Sequence, residues 1–145
     1  MVLVHALRRA TMLKLLPVTL ALAYLFSHDR PDQWNTYWLA ASAHVTAAVV
    51  FLGPLAAGAA AWDARRFQRL GMEDLGATSS RPVVVRTVVD VVPTLVWAAV
   101  PYGVVLALQW WQMLPEAGGG PSLQVLGLGF ALISVDALIG AVAGS

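Results

Sequence analysis

Four long apolar runs constrain what this 145-residue chain can fold into. A helix needs about 20 apolar residues to cross the hydrocarbon core of a bilayer. The chain is 59 % hydrophobic and 12 % charged, whereas a soluble domain is about 25 % charged, so too few polar side chains remain to cover a water-facing surface. The sequence predicts an all-α, polytopic membrane helical bundle in a single domain, with four transmembrane helices at about residues 12–27, 37–62, 86–111 and 123–144.

The composition argues against several classes of function. The net charge of +1 gives no indication of a nucleic-acid partner. Because the chain has no cysteine, disulfides, thiolate zinc sites and thiol nucleophiles are excluded, and the three histidines show no metal-ligand spacing. No phosphate-binding loop, H-E-x-x-H motif or Ser-His-Asp order is present. We therefore expect that the chain is not an enzyme and binds no metal or cofactor, and that ATP is bound only by a partner subunit.

The distribution of basic residues predicts the topology. Eight of the nine lie on one side of the predicted membrane, and Arg30 lies on the other. The eight are Arg8, Arg9, Lys14, Arg65, Arg66, Arg69, Arg81 and Arg86. The positive-inside rule then places the N-terminus and the loop at residues 63–85 in the cytoplasm. Because arginine supplies eight of these nine residues, the composition is typical of a GC-rich bacterial genome, and we expect a multi-pass protein of the bacterial inner (cytoplasmic) membrane.

The segment at residues 2–11 has apolar residues on one helical face. It is either an amphipathic helix in the membrane interface or an N-terminal extension of the first span, and the sequence leaves both interpretations open.

Small residues dominate the second span, which we expect to be a packing hub because small side chains let helix backbones approach closely in lipid. Pro54 is a candidate kink in it. In the fourth span, the Gly140-x-x-x-Gly144 pair is a weak indication of a specific contact. The sequence ends at Gly144-Ser145 without a basic flank, so we expect it to be a portion of a larger membrane domain.

The loop at residues 63–85 is predicted to contain a short helix at residues 64–75. Phe67 and Leu70 form its apolar side, and an arginine-rich rim surrounds them. The candidate partner-binding residues are Arg65, Arg66, Phe67, Arg69, Leu70 and Glu73. Alternatively, the arginines bind anionic lipid headgroups, at about 1 kcal/mol each, and the loop only determines topology.

Three polar residues within or beside apolar runs are candidate intramembrane sites. Asp136 lies in the middle of the fourth span, where a charge is unfavourable unless it is paired or protonated. Its roles include proton coupling, substrate contact and a helix–helix hydrogen bond. Asp90 follows Arg86 at i+4 spacing, which predicts a structural ion pair. His44 is an interhelical hydrogen-bonding group, part of a proton relay with a carboxylate of span four, or a pore-lining polar group.

The second span and the loop carry a resemblance to a known family. The sequence GPLAAGAAAWDARR at residues 53–66, followed by Arg81-Pro82, resembles the membrane subunits of bacterial ABC-2-type transporters, in particular actinobacterial permeases. The resemblance implies six spans, an interfacial N-terminal helix and a coupling helix that docks on a separate ATPase. Residues 2–11 and 64–75 would be those two helices. The chain has only four predicted spans, as expected of an N-terminal portion.

Three functions follow from these observations. The leading prediction is a permease subunit of an ATP-driven transporter that contacts an ATP-binding subunit through residues 63–82. A homodimer or a second permease half would complete the transporter. The alternatives are a four-helix membrane scaffold, assembly or immunity-type protein, and a small proton-coupled transporter that uses Asp136.

Overall fold

The computed structural model describes residues 2–28, 36–65, 83–113 and 117–144, with only the backbone described for residues 2–4, 83–87, 89 and 90. Within these ranges the chain is helical, with one isolated bridge between Tyr37 and Gly118. The helices are α1 (Val2–Arg9), α2 (Thr11–His28), α3 (Trp38–Ala47), α4 (Val49–Ala64), α5 (Val83–Gln112) and α6 (Leu123–Gly144).

The predicted all-α fold with four membrane-spanning helices is confirmed. Four helical segments are long and apolar enough to cross a bilayer, namely Thr11–His28, Trp38–Ala64, Val91–Gln112 and Leu123–Gly144. At most 39 % of any of these segments is buried inside the bundle. The large apolar side chains that remain exposed, such as Val50, Leu132 and Val142, therefore suit a lipid surrounding.

A short break at Ala10 separates α1 from α2. Ala10 is buried, and its carbonyl accepts a hydrogen bond from Leu13 N–H at 3.1 Å. Of the two interpretations that the sequence leaves open, the structure has a separate N-terminal helix. We call the segment around this break, residues 7–14, the α1–α2 elbow.

The second span is interrupted at Ala48, which separates α3 from α4. The Ala48 N–H bonds to the carbonyl of Val45, which tightens the last turn of α3. In the preceding turns, the hydroxyls of Ser42 and Thr46 bond back to carbonyls four residues earlier, a pattern that bends helices. The second span is thus interrupted six residues before Pro54, the predicted position of a kink, and α4 continues through that proline.

The most extensive helix–helix packing in the bundle joins α4 to α6. A Cβ added at Gly140 would lie 2.6 Å from the carbonyl carbon of Ala57, and one added at Gly144 would lie 2.8 Å from the Cα of Ala61. These glycines are therefore required for the close approach of the two backbones. The Gly140-x-x-x-Gly144 pair is thus part of a specific contact.

The register of this contact is regular along the second and fourth spans. The facing pairs are Thr46 with Gly129, Gly53 with Asp136, Ala57 with Gly140, and Ala61 with Gly144. The partners of every pair are 83 positions apart in the sequence, so the two spans run parallel. We call these four pairs the small-residue seam.

Candidate functional site

The candidate site lies at the end of the bundle where α4 leads into the loop. Of the residues predicted to bind a partner, Arg65 is described; Arg66, Phe67, Arg69, Leu70, Glu73 and most of the predicted helix at residues 64–75 lie outside the described residues. Arg65 is exposed, and its Nη2 donates a hydrogen bond of 3.3 Å to the carbonyl of Ala143. That carbonyl belongs to the last turn of α6, where backbone acceptors lack helical partners.

Asp63 caps the N-terminus of α2 from a distant part of the chain. Its Oδ2 accepts a 2.9 Å hydrogen bond from Thr11 N–H, and its Oδ1 accepts a 2.5 Å hydrogen bond from the Thr11 hydroxyl. The first N–H groups of a helix have no intrahelical acceptor, and the positive end of the helix dipole favours a carboxylate. A capping side chain usually lies next to its helix in sequence, whereas Asp63 follows Thr11 by 52 residues.

The other side of the elbow is attached to α5. The Trp97 indole N–H donates a 2.8 Å hydrogen bond to the carbonyl of Leu7, in the last turn of α1. Asp63 and Trp97 therefore hold the elbow from two different spans, one on each side of the break at Ala10.

The loop-bearing end thus joins five helices through three side chains. Asp63 connects α4 to α2, Arg65 connects the end of α4 to α6, and Trp97 connects α5 to α1. Asp63 and Arg65 lie three residues and one residue, respectively, before the part of the loop that is not described, which begins at residue 66. Any displacement of the loop's first residues would act directly on the start of α2 and the end of α6.

Sequence reasoning did not assign these bonds. Asp63 belongs to the segment that carries the family resemblance, but no role followed for it, and Trp97 and Thr11 were not candidates. A threonine at a helix start is a capping signal, and that signal does not identify an acceptor 52 residues away.

Asp136 lies within the small-residue seam. It is half-buried, and a Cβ added at Gly53 would lie 3.2 Å from its Cγ and would overlap its Oδ2. Within the described part of the chain, no hydrogen bond or ion pair joins the Asp136 carboxyl to another residue. The Asp136 carboxyl can therefore pack against α4 only because residue 53 is a glycine. We call this position of the carboxyl against Gly53 the Asp136 seat.

His44 is separate from this seat. The His44 ring stacks on Phe26 of α2, with centroids 4.4 Å apart and planes 6° from parallel. His44 lies in α3, before the break at Ala48, whereas Gly53 lies in α4, after it. The structure thus does not bring His44 to Asp136. Asp90 lies on α5, and its side chain is outside the described part, so its ion pair with Arg86 stays a prediction.

A second polar cluster lies near the opposite end of the bundle. The hydroxyls of Thr46 and Tyr102 donate hydrogen bonds of 2.9 Å to the carbonyls of Val125 and Leu126 in α6. Both carbonyls are early in that helix. This cluster fixes the first turns of α6 against α3 and α5, and the sequence analysis did not predict it.

The described residues contain no group of three or more His, Cys, Asp or Glu side chains that could hold a metal ion. No family model, curated protein or solved structure is significantly similar to the chain. The likeness to ABC-2-type permeases therefore stays a prediction from the motif.

Proposed function

We propose that the chain is a membrane-spanning permease subunit, or a portion of one, in a transporter driven by a separate ATP-binding subunit. The partner contacts the chain through residues 63–82 and moves the bundle from there. The proposal includes an orientation with the N-terminus and this loop in the cytoplasm, because eight of the nine basic residues share that side.

The observation that carries the proposal is the pair of bonds made by Asp63 and Arg65. A loop that served only to set topology would need no fixed connection to other spans. Asp63 and Arg65 instead connect the beginning of the loop to α2 and α6, so a force applied to the loop would reach three spans through short, specific contacts. Contacts of this kind give a partner that binds the loop a physical route to the membrane helices.

The test is co-purification of the tagged chain from its native host. We expect an ATP-binding protein in the purified complex, and we expect Phe67→Asp or Leu70→Asp to remove it because a charge would disrupt the apolar side of the predicted docking helix. Gln68→Asp is the matched control, since it adds the same charge to the same loop and leaves both apolar residues in place. An ATP-binding protein retained in both test variants would refute docking through this loop.

A second candidate function is a small proton-coupled transporter, which the position of Asp136 favours. A carboxyl in the middle of a span, against a glycine and without a hydrogen-bond or ion-pair partner among the described residues, can serve an ion pathway. Transport in this case would need a pH gradient. It would be lost in Asp136→Asn and retained in Phe67→Asp, the opposite of the pattern expected for the leading proposal.

A further inference from the structure

The elbow is held at the level where the second span ends. Thr11 is bonded to Asp63, the penultimate residue of the segment Trp38–Ala64. Leu7 is bonded to Trp97 of α5. In a bilayer that contains the second span, the Thr11 side of the elbow therefore lies near the boundary between hydrocarbon and headgroups.

Three exposed cations belong to this elbow. Arg8 and Arg9 form the last turn of α1, and Lys14 lies in the first turn of α2. The nearby carboxylate of Asp63 has both oxygens engaged by Thr11, so it neutralises one charge at most. The N-terminus of α2 is already capped by that carboxylate, which leaves the three basic side chains as the groups that can bind a ligand.

We propose that the α1–α2 elbow is a binding site for an anionic phospholipid, with Arg8, Arg9 and Lys14 holding its headgroup phosphate. Arginine binds phosphate oxygens through two parallel N–H donors, and the lysine stem can lie along the apolar span while its ammonium reaches the headgroup layer. The position of the elbow selects this ligand, because lipid phosphates occupy the same level of the membrane. This site is independent of the proposed transport function.

The experiment measures lipid binding to the purified chain by native mass spectrometry, with phosphatidylglycerol and phosphatidylcholine as probes. We expect preferential binding of phosphatidylglycerol. The double substitution Arg8→Ala/Arg9→Ala should lower its affinity about 25-fold, the change expected for two basic residues at a membrane surface. Phosphatidylcholine affinity should fall much less, because that lipid has a phosphate but no net charge. Lys14→Gln should lower phosphatidylglycerol affinity about fivefold by the same reasoning.

The matched control is Arg81→Ala/Arg86→Ala, which removes two charges from the same predicted side of the membrane. We expect it to lower phosphatidylglycerol affinity by less than threefold. An equal loss in the control would mean diffuse surface attraction and would overturn the site. Equal binding of both lipids by the natural chain, or displacement of phosphatidylglycerol by inorganic phosphate at the same concentration, would overturn it as well. Arg8→Lys/Arg9→Lys guards against a folding defect, because it keeps both charges and loses only the two-donor geometry, so its affinity should lie between those of the natural chain and of Arg8→Ala/Arg9→Ala.

Discussion

Removal of the Asp63 carboxylate should uncap α2 and loosen the loop-bearing end of the bundle. In Asp63→Ala, the N–H and the hydroxyl of Thr11 both lose their acceptor. Loss of a helix N-cap costs about 1 kcal/mol, and a hydrogen bond to a charged group contributes about 1.5–3 kcal/mol. Since the contact is only partly buried, water can replace some of this interaction, and we expect a loss of about 2 kcal/mol in the free energy of unfolding.

A double-mutant cycle isolates the contact. Thr11→Val removes the hydroxyl donor and keeps the backbone N–H, so it should cost about 1 kcal/mol. If the two residues interact as the structure shows, the double variant Thr11→Val/Asp63→Ala should be less destabilised than the sum of the single variants, with a coupling energy of about 1 kcal/mol. The free energy of unfolding is measured by titration of detergent-solubilised protein with sodium dodecyl sulfate and monitored by circular dichroism.

The control for a general effect of charge removal is Asp32→Ala, which deletes a carboxylate from the connector that precedes α3. We expect it to change stability by less than 0.5 kcal/mol, as is usual for surface substitutions. Strict additivity of Thr11→Val and Asp63→Ala would refute the hydrogen bond between the Thr11 hydroxyl and Asp63, because groups that do not interact have additive effects.

Three further predictions use the same unfolding measurement. Gly140→Ala should destabilise the bundle by about 1–3 kcal/mol because its Cβ would overlap the α4 backbone. Gly127→Ala is the control: no atom lies within 4 Å of its added Cβ, so it should be neutral or stabilising by up to about 1 kcal/mol. Equal effects of the two substitutions would contradict the small-residue seam. Gly53→Ala should destabilise by about 1–3 kcal/mol, and Asp136→Ala in the same chain should recover most of the loss; no recovery would show that the carboxyl does not occupy this seat. Tyr102→Phe should cost about 1 kcal/mol through loss of its hydrogen bond to α6, and an unchanged stability would exclude that bond.

The fold class was predictable because its determinants are local in sequence. The length and hydropathy of each apolar run decide whether a segment can span a bilayer, and neither property depends on which helix it contacts. The small residues of the second span and Gly140-x-x-x-Gly144 likewise indicated close packing. They could not indicate the partner, because spacing along one helix carries no information about the register of another.

The polar contacts were less predictable for the same reason. The roles of Asp63 and Trp97 depend on backbone groups of Thr11 and Leu7 that every residue possesses, so no side-chain motif identifies these partners. Asp136 was recognisable as unusual from its depth alone. Its seat against Gly53 depends on the 83-residue offset of the two spans, which only the assembled bundle defines.

α4 carries both of the features on which the function proposals depend. Gly53, which accommodates Asp136, and Asp63, which caps α2, lie on one continuous helix, ten residues or about 15 Å apart. A rotation or tilt of α4 would therefore change the seat of the carboxyl and the cap of α2 together. If a partner acts on the loop, its effect reaches the middle of the membrane through α4 without any further relay. If α4 transmits the movement, the environment of the Asp136 carboxyl should change in Asp63→Ala, although the two side chains are far apart. If the small-residue seam alone holds α4 in place, that environment should remain unchanged.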